Sequence, residues 1–289
     1  MTFYLNLAVT GVLQGVLIAL AALAVSLCFA VARFPNAATG DFMTLAAYAG
    51  VAGQAATGSL LAGAVLAVIA VALLSLGCYA LVFRRLIRSR SLVAPLIASI
   101  GLAFLLRSVL TFFVGFDQFS FRIPIARALV FDGVRIRPSD VWLLGIALAT
   151  LAAVLAILFV TPIGRRMRAV ADNPELARAS GIRARPVMVT LWVLIGICSA
   201  IGGIMLGLRT VVVPEMGWNL LLPAFAAAVL GGVGNPLGAV LAGIGLGLAE
   251  ALSTPLVGFT YQTAIAFVLL IVILVLRPQG LLGQAEPVR

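Results

Sequence analysis

The 289-residue sequence has no histidine, no lysine and only nine acidic residues. Without lysine there is no Walker A loop, whose lysine must reach the nucleotide phosphates. Any ATP-driven step therefore belongs to another polypeptide. Without histidine there is no zincin motif, no Ser-His-Asp triad and no histidine proton relay. The nine acids are scattered, so no carboxylate pair or metal cluster suggests an enzyme. Cys28, Cys78 and Cys198 lie far apart within apolar runs and offer neither metal spacing nor a disulfide framework. No cofactor, metal or catalytic residue is expected.

Apolar sequence is abundant: 63% of residues are hydrophobic and only 10% are charged. That composition is too oily for a soluble domain and fits an all-α polytopic membrane protein. A span takes roughly 20 apolar residues, so nearly the whole chain, 1–289, is expected to be one membrane-spanning domain. Long apolar runs without alternation exclude a transmembrane barrel. The net charge of +10 is carried by arginine. The arginines sit between apolar runs, which points to the positive-inside rule rather than to nucleic acid.

Along the chain, no basic residue precedes Arg33, so the charged n-region of a signal peptide is missing and Asn6 to Ala32 is expected to span. Arg33 then marks an inside end. A helix-breaking patch, Phe34 to Asp41, leads into Gly40 to Ala56, expected as a tilted or partly re-entrant helix. Leu60 to Phe83 spans and ends in Arg84, Arg85, Arg88 and Arg90, a second inside signal. Leu92 to Val114 returns outward, with Arg107 in its outer half. A loop of mixed charge follows, and Asp140 to Val160 leads back in. Val187 to Leu208 goes out, and Val213 to Trp218 is expected as an interfacial turn. Leu220 to Leu252 is interrupted by Gly231-Gly232-Val233-Gly234-Asn235-Pro236 and is expected as two short helices. Tyr261 to Leu276 crosses to Arg277. The expectation is about eight membrane segments, two of them broken or re-entrant.

The longest polar interruption, Thr161 to Pro186, holds six arginines against Asp172 and Glu175. It is patterned to fold. Gly164 to Asp172 can form a short helix with Met167 and Val170 on one side. Asn173-Pro174-Glu175 supplies an N-cap, a proline at the first helical position and an acid in the first turn. Gly181 stands where a left-handed C-terminal residue is wanted. Two capped helices on the inside face suit a docking surface.

Three blocks of residues then carry a resemblance. The first is Asn36-x-x-x-Gly40-Asp41-Phe42-Met43 with Leu45 to Tyr48. The second is Gly164-Arg165-x-Met167-Arg168-Ala169 through Asp172-Asn173-Pro174 to Gly181-Ile182. The third is Pro214-x-Met216-Gly217, Ala224 to Gly234, and Gly238-Ala239 to Glu250. Together they resemble the LivH-type permease subunits of branched-chain amino acid ATP-binding cassette transporters. The resemblance implies a bacterial inner (plasma) membrane location and an amino-acid substrate delivered by a periplasmic binding protein. It also implies a second, M-type permease and two cytoplasmic ATPase subunits. Thr161–Pro186 would then be the coupling segment, with Gly164, Arg165, Arg168, Asp172, Asn173, Pro174, Glu175 and Gly181 meeting the ATPase. The family usually carries a histidine before the glycine of the first block, where this chain has Thr39, and an uncharged residue where this chain has Arg107.

Candidates for the translocation path are Asn36, Gly40, Asp41, Phe42, Arg107, Gly231, Gly232, Gly234 and Glu250. Each has a plainer alternative. Asp41 suits the N-cap of the following helix, and Arg107 can snorkel to headgroups rather than line a path for a carboxylate. Glu250 can pair with an arginine of the partner permease or coupling loop. A stand-alone secondary carrier or channel for small urea- or amide-type solutes is the other functional class. It is disfavoured by the scarcity of intramembrane carboxylates, the lack of histidine and the inside helix pair.

Overall fold

The computed structural model describes residues 2–87, 93–123, 129–131, 134–258, 261–277 and 279–282. Arg88, Arg90 and Leu92 lie outside the described residues. The apolar runs form helices: α1 (Thr2–Ala32), α2 (Ala38–Thr57), α3 (Leu60–Cys78), α4 (Arg84–Leu86), α5 (Val93–Val114), α6 (Pro138–Val160), α7 (Pro162–Asp172), α8 (Pro174–Ala179), α9 (Ala184–Arg209), α10 (Met216–Gly231), α11 (Pro236–Val257) and α12 (Gln262–Leu276). A π-helical turn, Tyr79–Phe83, joins α3 to α4. The β structure among the described residues is a short antiparallel hairpin, β1 (Leu129–Phe131) and β2 (Val134–Ile136), plus an isolated bridge between Phe119 and Val212.

Six helical stretches are long and apolar enough to cross a membrane: Thr2–Ala32, Leu60–Leu86, Val93–Val114, Pro138–Val160, Ala184–Arg209 and Pro236–Val257. That is fewer than the expected eight. The apolar helices α10 and α12 are shorter, and α2 carries Thr39, Asp41, Thr44 and Gln54 on a buried surface. The sequence from Leu220 to Leu252 therefore divides unequally. Its second part is a full-length helix, because glycine within an apolar helix is tolerated once a neighbour packs on it. Trp218 lies in the first turn of α10 rather than in an interfacial turn.

α1 is the central helix, buried almost continuously from Leu13 to Cys28. Small residues let α11 run along it. A Cβ on Gly15 would overlap the backbone of Ile244, one on Gly243 that of Ala19, and one on Gly247 that of Gly15. Such close approach is the usual device for packing helices in lipid, where apolar burial alone supplies no drive to associate. α9 closes a second side, with Gly203 against the backbone of Met43.

The contacts collect the arginine-bearing ends of the helices together. Arg33 at the end of α1 meets the end of α7. Arg84 and Arg185 line one cleft with Tyr79 and Met188. The tail after Arg277 meets the turn between α10 and α11. The joint between α1 and α2 is anchored there by aromatic stacking: Phe34 on Phe83 (5.2 Å between centroids), and Phe83 on Trp192 (4.8 Å).

Candidate functional site

Two of the expected sites are built, one by contacts between distant helices and one largely by local caps, and the remaining candidates lie apart from both. The first is the start of α2. Asn36 Oδ1 accepts from the N–H of Ala38 at 3.1 Å, and Ser99 Oγ of α5 accepts from the N–H of Ala37 at 3.1 Å. These bonds satisfy helix-start donors that would otherwise be orphaned away from water. Asp41 is therefore not the N-cap. It lies in the first turn of α2, and its carboxylate faces Arg107 instead.

Arg107 Nε donates to Asp41 Oδ1 at 3.0 Å and its Nη2 to Asp41 Oδ2 at 3.3 Å, a bidentate pair between α2 and α5. The guanidinium lies over the Trp218 ring at 4.8 Å and the Phe104 ring at 5.8 Å from their centroids. Arg107 thus spends its Nε and Nη2 on a carboxylate of α2. Pairing and aromatic contact make a charged group tolerable where a lone one would be expensive. Phe42, the next residue, is fully buried in the core.

Block one meets block three directly. Gly40 and Gly217 pack backbone to backbone, so that a Cβ on either would overlap the other's carbonyl oxygen. Thr44 Oγ1 accepts from the N–H of Gly217 at 3.1 Å, filling a donor left open at the start of α10. Two helix starts therefore interlock beside the Asp41–Arg107 pair. Trp218 and Thr44 were missed by sequence reasoning; only the three-dimensional contact identifies them.

Gly231, Gly232 and Gly234 are elsewhere. They form the turn between α10 and α11, with φ of 106° at Gly232 and 79° at Gly234. Asn235 caps α11 by accepting from Gly238 N at 3.1 Å. The tail closes over this turn, Leu281 N donating to Leu230 O at 2.7 Å and Asn235 Nδ2 to Leu282 O at 2.9 Å. Glu250 is separate again, buried on α11 one residue from Ala251, which faces Gly11 of α1. Its Oε1 has no hydrogen-bond partner among the described residues.

The second site is the helix pair at the arginine-rich end. Thr161 Oγ1 caps α7 by accepting from Gly164 N at 3.2 Å. Gly164 is glycine because a Cβ there would overlap the carbonyls of Ile157 and Leu158. Met167 and Val170 are buried, as expected, while Arg165 and Arg166 are exposed. Arg168 is partly committed: it donates to Leu158 O at the end of α6 and lies over the Phe159 ring at 5.5 Å. Asn173 Oδ1 accepts from both Glu175 N and Leu176 N at 3.0 Å, and Pro174 opens α8. Gly181 has φ of 81°, with Ile182 N donating to Ala177 O at 3.0 Å, a Schellman-type end. Asp172, Glu175 and Leu176 are exposed. Among the described residues no group of three His, Cys, Asp or Glu side chains is arranged to hold a metal.

Comparison with known proteins places the chain among permeases. BraD of Pseudomonas aeruginosa, a high-affinity branched-chain amino acid transport system permease protein, is 28% identical over 208 residues, 70% of this chain and 68% of BraD. LivH of Escherichia coli K12, of the same description, is 37% identical over 140 residues, which span 48% of this chain and 45% of that one. The alignment with LivH therefore spans about half the length of either protein. Among solved structures, PsaBC from Streptococcus pneumoniae in complex with Fab superposes with a TM-score of 0.50 at 14% identity, covering 93% of this chain and 91% of that one, a likeness of fold. The family described as branched-chain amino acid transport system / permease component matches residues 7–275, and the chain belongs to it.

Proposed function

We propose that this chain is the transmembrane permease subunit of an ATP-binding cassette importer for branched-chain or related amino acids. In this reading a periplasmic binding protein delivers the solute at a bacterial inner membrane. The path is shared with a second permease, and two cytoplasmic ATPase subunits drive it. The observation that carries the reading is the α7–α8 pair. It buries one apolar stripe against the bundle, is capped at both ends, and presents Arg165, Arg166, Glu175 and Leu176 to a partner. A chain without lysine or histidine needs such a partner if ATP is to power it.

The membrane arrangement in this reading comprises the six long helices plus α10 and α12, with α2 beginning at depth. Gly202 has both Met43 and Leu20 for neighbours, so these two share a level. From Leu20, α1 continues twelve residues to Ala32, about 18 Å, whereas α2 reaches back from Met43 only five residues to Ala38, about 7.5 Å. The difference, about 10 Å, supports a joint that re-enters the bilayer, with its helix-start donors satisfied by Asn36 and Ser99.

The test is affinity purification of the tagged chain from native membranes in mild detergent. A parallel preparation carries Arg165→Glu with Arg166→Glu. The reading expects a second permease and ATP-binding subunits to copurify, and the ATPases alone to be lost from the reversed variant. A chain that purifies alone and still moves solute into vesicles would sink it.

A further inference from the structure

Resting on the importer reading above, we propose that the Asp41–Arg107 pair is a recognition site for a zwitterionic α-amino acid, whose carboxylate takes the guanidinium while its ammonium takes the Asp41 carboxylate. Four observations converge on this. The pair is the salt bridge found among the described residues, and it lies within the helical bundle rather than at an end. Arg107 is fourteen residues along α5 from Val93, about 21 Å along a 22-residue helix, and so stands clear of both helix ends. The pair is largely buried, with the Asp41 side chain 2% and the Arg107 side chain 16% exposed. Its hydrogen-bonding capacity is only partly used: Arg107 spends Nε and Nη2 on Asp41, and among the described residues its Nη1 makes no hydrogen bond and no other side chain donates to the Asp41 carboxylate, which also accepts from its own backbone. The guanidinium is flanked by Trp218 and by Phe104, 55% exposed, whose rings offer apolar surface to an aliphatic side chain.

The charge balance gives the selectivity. The α-carboxylate and α-ammonium of an amino acid are held by one carbon, so both can engage the opened pair while every charge keeps an opposite neighbour. An amide or urea brings no charge and would leave Asp41 and Arg107 separated without ionic partners. A solute with a single charge would leave one of them unpaired. Both outcomes carry the penalty of an uncompensated charge away from water. Discrimination of this kind comes from what the wrong solute leaves unsatisfied. Asp41 and Arg107 also join α2 to α5, so an inserted solute must part the two helices, which makes occupancy a mechanical event.

The experiment measures binding of labelled leucine to the assembled complex of this chain with its second permease and ATPases, purified without the binding protein. Unlabelled leucine, leucinamide and N-acetylleucine serve as competitors. Leucine is expected to displace the label at concentrations about tenfold or more below either derivative. The double variant Asp41→Asn with Arg107→Gln, which keeps polar side chains but no charge, is expected to copurify with the ATPases and to lose that preference. Equal competition by the derivatives on the wild-type complex, or no saturable leucine binding, overturns the site and needs no variant to fold. A double variant that keeps the preference overturns it as well. In any of these cases, ATP-driven uptake by the complete wild-type system would leave the importer reading standing, and only its absence would remove that reading.

Discussion

Arg33, at the joint between α1 and α2, donates through Nη2 to the carbonyl of Asp172, the last residue of α7, at 3.2 Å, and to that of Ala171 at 3.0 Å. These residues are 139 positions apart in sequence. A cation at a helix C-terminus answers both the open carbonyls and the negative end of the dipole. Arg33 adopts φ of 63°, a left-handed conformation costing roughly 1–2 kcal/mol for a residue with a Cβ. The contact therefore holds a strained joint in place, and it links the start of α2 to the segment read here as ATPase-coupling.

Arg33→Gly separates the strain from the strap. Glycine accepts the positive φ, so thermal stability of the detergent-purified chain is expected to stay within a degree or two of wild type. ATP-driven uptake is expected to fall several-fold while ATPase subunits still copurify. Full uptake by Arg33→Gly would show that the bond to α7 carries nothing between the two sites.

Glycine contacts give a graded prediction. Gly217→Ala and Gly203→Ala place a Cβ on the backbone of Gly40 and Met43, respectively, and overpacking of this kind costs about 1–3 kcal/mol or more. Gly77 and Gly145 have open space where a Cβ would stand. The yield of folded chain, read by size-exclusion in detergent, should drop for the first two and hold for Gly77→Ala and Gly145→Ala. Equal yields across all four would contradict the close packing described.

Which parts of this arrangement were legible beforehand follows from where the signal resides. The bounds of α3, α5, α6 and α9 agree within a few residues with the apolar runs, because a span is a local property of composition. The start and end of α8 were equally readable, since Asn173, Pro174 and Gly181 act on their own neighbours, whereas α7 begins at Pro162 under a Thr161 cap, two residues ahead of the expected start at Gly164. The partner of Asp41 was not. A carboxylate near a helix start reads as a cap, and only the approach of α5, 66 residues away, redirects it to Arg107. Thr44, Trp218 and Arg33 were hidden for the same reason. The length of α11 was misjudged because glycine was weighed as a breaker when here it is the surface on which α1 packs.

The α8 cap is testable by itself. Asn173→Ala leaves the N–H groups of Glu175 and Leu176 without their acceptor, a loss typically of about 1 kcal/mol. On a six-residue helix that is enough to fray it. Limited proteolysis should cut faster between Asn173 and Gly181 in this variant, with recovery in Asn173→Asp, and ATPase-stimulated uptake should fall in parallel. Unchanged cleavage would mean that packing of Ala177, not the cap, holds the turn.

Glu250 supplies the prediction with opposite signs in two assays. Its side chain is buried on α11 with Oε1 unpartnered among the described residues, and a buried carboxylate oxygen without a partner destabilises the fold that contains it. Glu250→Gln keeps the shape and removes the charge, so the isolated chain is expected to unfold at a higher temperature, by a few degrees at the roughly 2–4 °C per kcal/mol of a domain this size. So costly a group is accounted for if a transported solute or an arginine of the partner permease answers it in the working assembly. Uptake by the complete system should then fall several-fold in the same variant. A stabilised chain with undiminished uptake would exclude Glu250 from the path and from the subunit contact alike, whereas a destabilised one would show that its carboxylate already has a partner within this chain.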